Sequence, residues 1–305
     1  MRDHPQFANY VALVSVWIFW GTTYLGIRIA VETVPPVVLM TARFLLSGGL
    51  LLIGALITGA RLPRGSELLR TSLYGIITIG IGTGLLVYAE TWIPSGLAAI
   101  MITTSPFWTA GIDAMLPGGE RLHGPTLFGM LIGFLGVGFL LAPDAMDAFA
   151  GAGGGAILTG FAVLQLGQIG WTVGALLQRR HATTVHPVMS GAVQQFATGL
   201  LFLPFALWQH EAVHFTPRAT WAIVYLAVFG SVVGYSAFIF TMQRLPVAMA
   251  SMYTYINPIV AVVLGWLFLR EPIGLRHAVA MIITFAGVYL VKRAQAALPV
   301  APAED

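Results

Sequence analysis

Two stretches of this 305-residue chain nearly repeat each other and decide its fold. Residues 130–140 read MLIGFLGVGFL, and residues 281–291 read MIITFAGVYLV. Met, Ile, Phe, Gly and Val coincide at the same five steps, at an offset of 151 residues. Further pairs recur at an offset of 151 or 152 residues: Glu120 and Glu271, Pro94 and Pro246, Ala98 and Ala250, Pro106 and Pro258. The chain therefore contains a duplicated unit.

The composition places this unit in a membrane. Hydrophobic residues make up 57% of the chain and charged residues only 9%, whereas a soluble domain carries roughly 25% charged residues. A helix needs about 20 apolar residues to cross the hydrocarbon core. Ten stretches qualify, near residues 9–29, 36–58, 69–88, 95–116, 124–142, 153–177, 187–208, 218–240, 246–268 and 274–292.

An odd number of helices in each unit sets the relation between the two units. Five crossings leave the chain on the opposite side, so the second copy enters the bilayer from the other face. The sequence predicts an all-α membrane protein with ten transmembrane helices in two inverted five-helix repeats, residues 9–142 and 153–293. Residues 294–305 are expected to form a disordered cytoplasmic tail. Inverted repeats suit alternating access around a central substrate site.

Loop charges predict the orientation. With the amino terminus inside, the inner segments hold ten Lys and Arg residues and the outer loops hold four. Cytoplasmic loops are enriched in these residues, so both termini are expected in the cytoplasm and the chain in the inner membrane. The lipid bilayer is the predicted surrounding partner. The basic residues are scattered, which argues against nucleic-acid binding.

Missing motifs exclude several classes of function. The chain has no cysteine, no G-x-x-x-x-G-K-[ST] loop and no H-E-x-x-H motif. These absences argue against thiol chemistry, ATP binding through a P-loop and a zinc protease site. We expect no cofactor, no metal and no enzymatic activity. Any energy coupling then uses an ion, a proton or the gradient of the substrate.

Three charged residues in or beside the spans are candidates for function. Arg43 lies inside the second span, where a charge is costly; it is either a clamp for a substrate carboxylate or a structural arginine. Its counterpart in the repeat is Gln195. Glu90 and Asp113 are candidates for proton coupling, because a carboxyl in an apolar site can exchange a proton. Alternatively, Glu90 caps a helix end and Asp113 reaches the inner interface.

Polar, aromatic and proline residues inside the spans complete the candidate site. Pro106 and Pro258 occupy matched positions and are either paired hinges or fixed kinks. Unpaired polar groups are costly in lipid, so they should face other helices or a cavity. For any single Tyr or Trp, packing or a position in an interfacial belt is the favoured interpretation, whereas the group together predicts an amphipathic cavity. The predicted substrate-binding residues are Trp20, Thr23, Tyr24, Arg43, Tyr88, Gln168, Trp171, Gln195, Tyr253 and Asn257.

Short motifs occur along the chain: Trp20-Gly21, Arg43-Phe44, residues 93–99 (IPSGLAA), Ser105-Pro106, residues 119–122 (GERL), residues 245–248 (LPVA), Asn257-Pro258 and residues 270–272 (REP). Together these motifs resemble the EamA-type drug/metabolite transporters over about residues 10–293, particularly the PecM-like and YedA-like exporters. This resemblance implies ten helices, a central cavity and efflux of amino acids or related metabolites.

The predicted function is export of a small-molecule substrate across the inner membrane by alternating access. A passive channel or facilitator and an uptake transporter are the alternatives, since direction is not encoded in the motifs. The fifth and tenth helices hold the clearest repeat and few polar residues. We assign them to packing or to contacts in a homodimer.

Overall fold

The computed structural model describes residues 5–119, 121–151, 153–181, 184–209, 213–245, 249 and 252–296. All regular elements in these ranges are helical, including two π-helical segments, π1 and π2. They are α1 (Pro5–Gly21), α2 (Thr23–Val31), α3 (Pro36–Ile57), α4 (Ser66–Gly75), π1 (Ile76–Thr83), α5 (Gly84–Ala89), α6 (Ser95–Ile102), α7 (Ser105–Met115), α8 (Gly124–Phe149), α9 (Gly155–Arg180), α10 (Pro187–Trp208), α11 (Pro217–Tyr225), π2 (Leu226–Val233), α12 (Gly234–Arg244), α13 (Tyr253–Leu269) and α14 (Leu275–Ala296).

Eight helical stretches in the described part are long and apolar enough to cross a membrane. They are α1 with α2, α3, α4 to α5 through π1, α8, α9, α10, α11 to α12 through π2, and α14. Each coincides with one of the ten predicted stretches. The predicted class, an all-helical membrane protein, is therefore confirmed.

The other two predicted stretches are shorter helices. Residues 95–116 were expected to form one helix but form two, α6 and α7. The stretch 246–268 contains α13, which has 17 residues, and residues 246–248, 250 and 251 lie outside the described ranges. The number of crossings and the inverted arrangement stay predictions. The last helix reaches Ala296, and the rest of the predicted tail lies outside the described residues.

Two threonines separate α6 from α7. The Thr103 hydroxyl donates to Ile100 O at 2.6 Å, and the Thr104 hydroxyl donates to Met101 O at 2.8 Å. Such local bonds offer the backbone an alternative to a continuing helix. Pro106 then stands in the first turn of α7, where a missing N–H costs no helical bond. Pro258, by contrast, lies inside α13.

The repeated stretches lie in α8 and α14, which pack against each other. Glycines allow this close approach: a Cβ on Gly287 would lie 2.4 Å from Gly133 N, and one on Gly136 would lie 2.5 Å from Thr284 Oγ1. Small residues at a crossing let membrane helices pack through van der Waals contact. The glycines of the repeated motif are thus explained by helix packing.

A second pair, α3 and α10, packs in the same way. A Cβ on Gly48 would lie 2.5 Å from Phe196 N, and one on Gly199 would lie 2.7 Å from Leu45 N. Gly48 and Gly199 are separated by the repeat offset of 151 residues. Each half therefore contributes one glycine to this contact, and both helices also contribute to the cavity described next.

Candidate functional site

A cavity lies among the helices, and both halves of the chain form its wall. The space open to the centres of water-sized molecules is about 200 Å³. Nine of the ten predicted substrate-binding residues line it, as do both predicted hinge prolines: Trp20, Thr23, Tyr24, Arg43, Gln168, Trp171, Gln195, Tyr253, Asn257, Pro106 and Pro258. The structure thus brings together residues that the sequence disperses over six predicted helices.

Arg43 places a buried cation in the cavity wall. The residue is 6% exposed, and its Nε donates to Ser231 Oγ at 2.9 Å. Its guanidinium carbon lies 5.1 Å from the centre of the Phe44 ring. The Nη1 group has no hydrogen-bond partner among the described residues. A guanidinium carries five donors in a planar fork, so this side chain retains capacity to bind an anion.

Gln195 occupies the repeat position of Arg43 and also lines the cavity. Its Oε1 accepts a hydrogen bond of 2.5 Å from the Ser47 hydroxyl. The residue is buried, at 2% exposure. The amide is therefore anchored to α3, the helix that carries Arg43.

An aromatic wall faces these polar groups. The Trp20 ring centre lies 4.9 Å from that of Phe238 and 5.1 Å from that of Tyr253, which it meets edge to face. Trp20 Nε1 donates to Gly230 O at 3.1 Å. Aromatic pairs at such distances pack favourably, so the wall is held in one arrangement and presents apolar surface to the cavity.

The two π-helical segments lie at equivalent positions of the two halves. Ile76–Thr83 and Leu226–Val233 each contain eight residues and are offset by 150 residues. Both contribute to the cavity wall, through Gly82 and Thr83 in π1 and through Gly230 in π2. Wide π turns are often found at functional sites. Their matched placement beside the cavity was not predicted from the sequence.

Side-chain amides of α9 bind residues at the interruption between α6 and α7. Gln165 Oε1 accepts from Trp108 Nε1 at 2.7 Å and lies 3.0 Å from Thr104 Oγ1, whose single hydrogen it shares with Met101 O. Gln168 Nε2 donates to Ile102 O at 3.3 Å. Backbone groups freed by a helix break in a membrane need such partners. One face of α9 therefore supports the break and also contributes Gln168 to the cavity.

Three predicted site residues lie away from the cavity wall. Tyr88 is partly buried against the apolar cluster that contains Ile27. Asp113 forms an ion pair with Arg180, with 3.3 Å between Oδ1 and Nη2. Glu90 is fully buried at the end of α5.

The carboxylate of Glu90 is removed from water without gaining a hydrogen-bond donor in the described part of the chain. Neither carboxylate oxygen has a hydrogen-bond partner among the described residues. Arg28 donates to the backbone carbonyl of Glu90 rather than to its side chain. Arg28, Arg43 and Glu271 are the charged groups that act on it electrostatically. The structure therefore joins Glu90 to a cluster that includes the cavity arginine.

Sequence reasoning missed several polar residues of the site. Ser231 and Ser47 hold Arg43 and Gln195, and Thr103 and Thr254 also line the cavity. Their only sequence signal was a polar group inside an apolar span. No group of three or more His, Asp or Glu side chains that could hold a metal occurs in the described ranges.

The sequence of this chain matches one known family over most of its length. Residues 8–142 and residues 158–293 each match the EamA-like transporter family. A solved structure, titled only as the crystal structure of a protein, shares the fold with a TM-score of 0.65 and 20% identity. That comparison covers 93% of this chain and 98% of the other.

Individual relatives agree with the family match. The uncharacterized inner membrane transporter YedA of Escherichia coli K12 is 32% identical over 268 residues, covering 87% of this chain and 84% of YedA. The uncharacterized transporter YoaV of Bacillus subtilis is 21% identical, covering 92% of this chain and 95% of YoaV. A WAT1-related chloroplastic protein of Arabidopsis thaliana is 23% identical, covering 93% of this chain and 69% of the relative. The resemblance seen in the motifs is thus confirmed, and the chain belongs to the EamA-like transporter family as a multi-pass inner-membrane transporter.

Proposed function

We propose that this transporter exports small carboxylates of the amino-acid class by alternating access between two inverted five-helix halves. The observation that carries the proposal is Arg43, a buried arginine in the cavity wall whose Nη1 has no partner among the described residues. A buried donor left without a partner is costly. A substrate carboxylate that enters the cavity would supply the missing acceptor.

The chemistry of the lining favours a carboxylate over a cation. Arg43 is the one Lys, Arg, Asp, Glu or His side chain among the described lining residues. Arginine binds carboxylates with two parallel hydrogen bonds. Gln168 and Asn257 offer neutral amides for other polar groups of the substrate, and the aromatic wall around Trp20 suits its apolar part.

Three observations support alternating access. The family match occurs twice along the chain, over residues 8–142 and 158–293. The π-helical segments have matched positions in the two halves. Counting α6 with α7 as one crossing and α13 as another brings the eight long spans to ten. An inverted pair of five-helix units can exchange conformations around a fixed central site.

We assign proton coupling to Glu90 in preference to Asp113. Glu90 is fully buried and its carboxylate oxygens lack donors among the described residues, whereas Asp113 is paired with Arg180. An ionisable residue at membrane depth usually serves function. Both termini are taken to be cytoplasmic, so that the loop following α5 faces outward.

A screen followed by counterflow tests the proposal. Cells that overproduce the protein are challenged with toxic amino acids and amino-acid analogues; resistance to one of them nominates the substrate and indicates export. Hypersensitivity would instead indicate uptake. The purified protein is then reconstituted in liposomes preloaded with the nominated compound, and entry of the radiolabelled compound is measured.

The counterflow result separates a transporter from a channel. An alternating-access carrier takes up label faster when the unlabelled compound is present on the opposite side. A channel shows no such stimulation. The proposal fails if the label enters preloaded and empty liposomes at the same rate. It also fails if no carboxylate in the screen changes cell growth.

A further inference from the structure

The carboxylate of Glu271 caps the amino terminus of α6. Its Oε1 accepts from Ser95 N at 2.8 Å and from the Ser95 hydroxyl at 2.9 Å, and its Oε2 accepts from Gly96 N at 2.9 Å. The first N–H groups of a helix have no partner within it. Such a cap is ordinarily made by the residue just before the helix; here it comes from the other half of the chain.

The end of α13 positions this carboxylate. Arg270 adopts a left-handed conformation with φ of 55° and ends the helix. Glu271 N then turns back to donate to Gly265 O at 3.1 Å. This return places the Glu271 side chain between α13 and α6. The backbone at the end of α13 therefore directs the Glu271 carboxylate toward its donors, and the Ser95 hydroxyl helps to hold it there.

The seam between α6 and α13 is closely packed around the cap. A Cβ on Gly96 would lie 3.1 Å from the Cα of Val262. A Cβ on Gly265 would lie 2.3 Å from Glu271 Oε2 and 3.0 Å from Ser95 Oγ. Larger residues at these two positions would push the helices apart. The glycines thus allow the direct approach that the three hydrogen bonds require.

This seam closes one end of the cavity. Residues 97–101 of α6 are each at most 8% exposed, and none of them lines the cavity. Along α6 and α7, the residues that line the cavity begin at Ile102 and reach Pro106. On α13 the last lining residue is Pro258. The capped end of α6 and the carboxyl end of α13 therefore lie beyond the cavity, on the side of the loops 90–94 and 270–274.

We propose that Glu271 is the gating residue of this end, holding α6 against α13 while the cavity is closed there. The inference rests on the proposed alternating access, in which a closed end must open. Opening this end parts α6 from α13, breaks the three hydrogen bonds and exposes the carboxylate to water.

Access of a reagent to the cavity tests the gate without a known substrate. The chain has no cysteine, so Thr83→Cys in the cavity wall gives one thiol. Proteoliposomes are treated with a membrane-impermeant maleimide from each side. We expect E271Q to raise labelling from the Glu271 side about tenfold, because the amide loses charge-assisted bonds. E32Q, which removes an exposed carboxylate paired with Arg218 at 3.5 Å, should change labelling by less than about twofold.

Two outcomes of the labelling would overturn the gate. One is an equal rate in the Glu271 and E271Q proteins; the other is an equal increase in E32Q. If E271Q does not fold, E271D replaces it. This variant keeps the charge on a side chain one methylene shorter, and we expect its labelling to exceed that of the Glu271 protein. Equal labelling of E271D and the Glu271 protein would then count against the gate.

A covalent version of the seam tests the gate through transport. In the triple variant S95C/G265C/E271A, the alanine removes the Glu271 carboxylate that a Cβ at 265 would otherwise meet at 2.3 Å. The sulfur at 95 would then stand near the position of Ser95 Oγ, 3.0 Å from that Cβ, a distance compatible with a disulfide that replaces the cap. Oxidation should reduce counterflow to the level of protein-free liposomes, and a reductant should restore it. Full counterflow with the disulfide formed would reject the gate while leaving the transport function intact. Absence of counterflow in the unmodified protein would reject the function, and the labelling would still decide the gate.

Discussion

Arg43 and Gln195 occupy equivalent positions of the two halves and show what the duplication kept and what it changed. Both are buried, at 6% and 2% exposure, on the paired helices α3 and α10. Each is bound to a serine of the opposite half: Arg43 Nε to Ser231 at 2.9 Å, and Gln195 Oε1 to Ser47 at 2.5 Å. The scaffold is shared, but only one side carries a charge. An asymmetric substrate would therefore have a single anchor in a nearly symmetric cavity.

Trp20 and Trp171, which are separated by the repeat offset of 151 residues, repeat this contrast without charge. Trp20 Nε1 donates to Gly230 O in π2. Trp171 packs near Gly82 in π1, where a Cβ would lie 2.9 Å from the Trp171 Cβ, and it is 38% exposed. The indole of the first half is thus held by a π-helical carbonyl, while the indole of the second half is available to the cavity.

A substitution that places glutamine at the position of Arg43, as at Gln195 in the other half, should have the largest effect on transport. Arg43→Gln removes the charge that we expect to bind a substrate carboxylate. Loss of one partner of a buried charge pair costs about 2–5 kcal/mol, so kcat/KM for the substrate identified by the screen should fall about 100-fold. Arg43→Lys keeps the charge but loses the two-bond geometry. Its kcat/KM should lie between those of the unmodified protein and of Arg43→Gln. Counterflow in proteoliposomes measures both.

A surface arginine provides the matched control for this substitution. Arg244 stacks on the Phe240 ring, 3.9 Å from its centre, outside the cavity wall. Arg244→Gln should leave kcat/KM within about twofold, as is usual for a surface change. A carboxylate substrate transported equally well by Arg43→Gln and by Arg244→Gln would show that Arg43 is structural.

The two acids of the predicted site differ in the same manner, one without donors and one paired. A pH gradient of one unit can drive about tenfold accumulation per proton, since 1.4 kcal/mol corresponds to a factor of ten. Glu90→Gln cannot exchange a proton and should abolish this accumulation while counterflow continues. Asp113→Asn, which weakens an ion pair with Arg180, should keep it. Accumulation in Glu90→Gln at the unmodified level would assign coupling elsewhere.

Hydropathy predicted the described spans well because the bilayer constrains length and polarity together. Each of the eight long apolar stretches must form its backbone hydrogen bonds within itself, because lipid offers no partners. Its apolar composition therefore predicts a helix. The same constraint explains the lining. A polar residue such as Gln168 or Asn257 cannot face lipid without cost, and the centre of the bundle is the remaining surface.

Contacts between distant residues could not be predicted in this way. The sequence showed Glu271 as the repeat partner of Glu120 and as part of the motif at residues 270–272, but its role as a cap on α6 depends on how α13 ends. The break at Thr103 and Thr104 competes with a continuous apolar helix, and contacts that Gln165 and Gln168 make from α9 stabilise it. The π segments lie in largely apolar sequence, where no periodicity separates a wide turn from an ordinary one.

The smallest expected effect concerns the two tryptophans. Trp20→Phe keeps the ring but removes the donor to Gly230 O, and a typical hydrogen bond contributes about 1 kcal/mol. Trp171→Phe removes an indole for which no hydrogen bond is found in the described part of the chain, so its free energy of unfolding should change by less than about 0.5 kcal/mol. Reversible unfolding in SDS measures both variants in the same mixed micelles. Equal losses would mean that the hydrogen bond to π2 adds nothing beyond ring packing, and the asymmetry between the two halves would then reside in the charge of Arg43 alone.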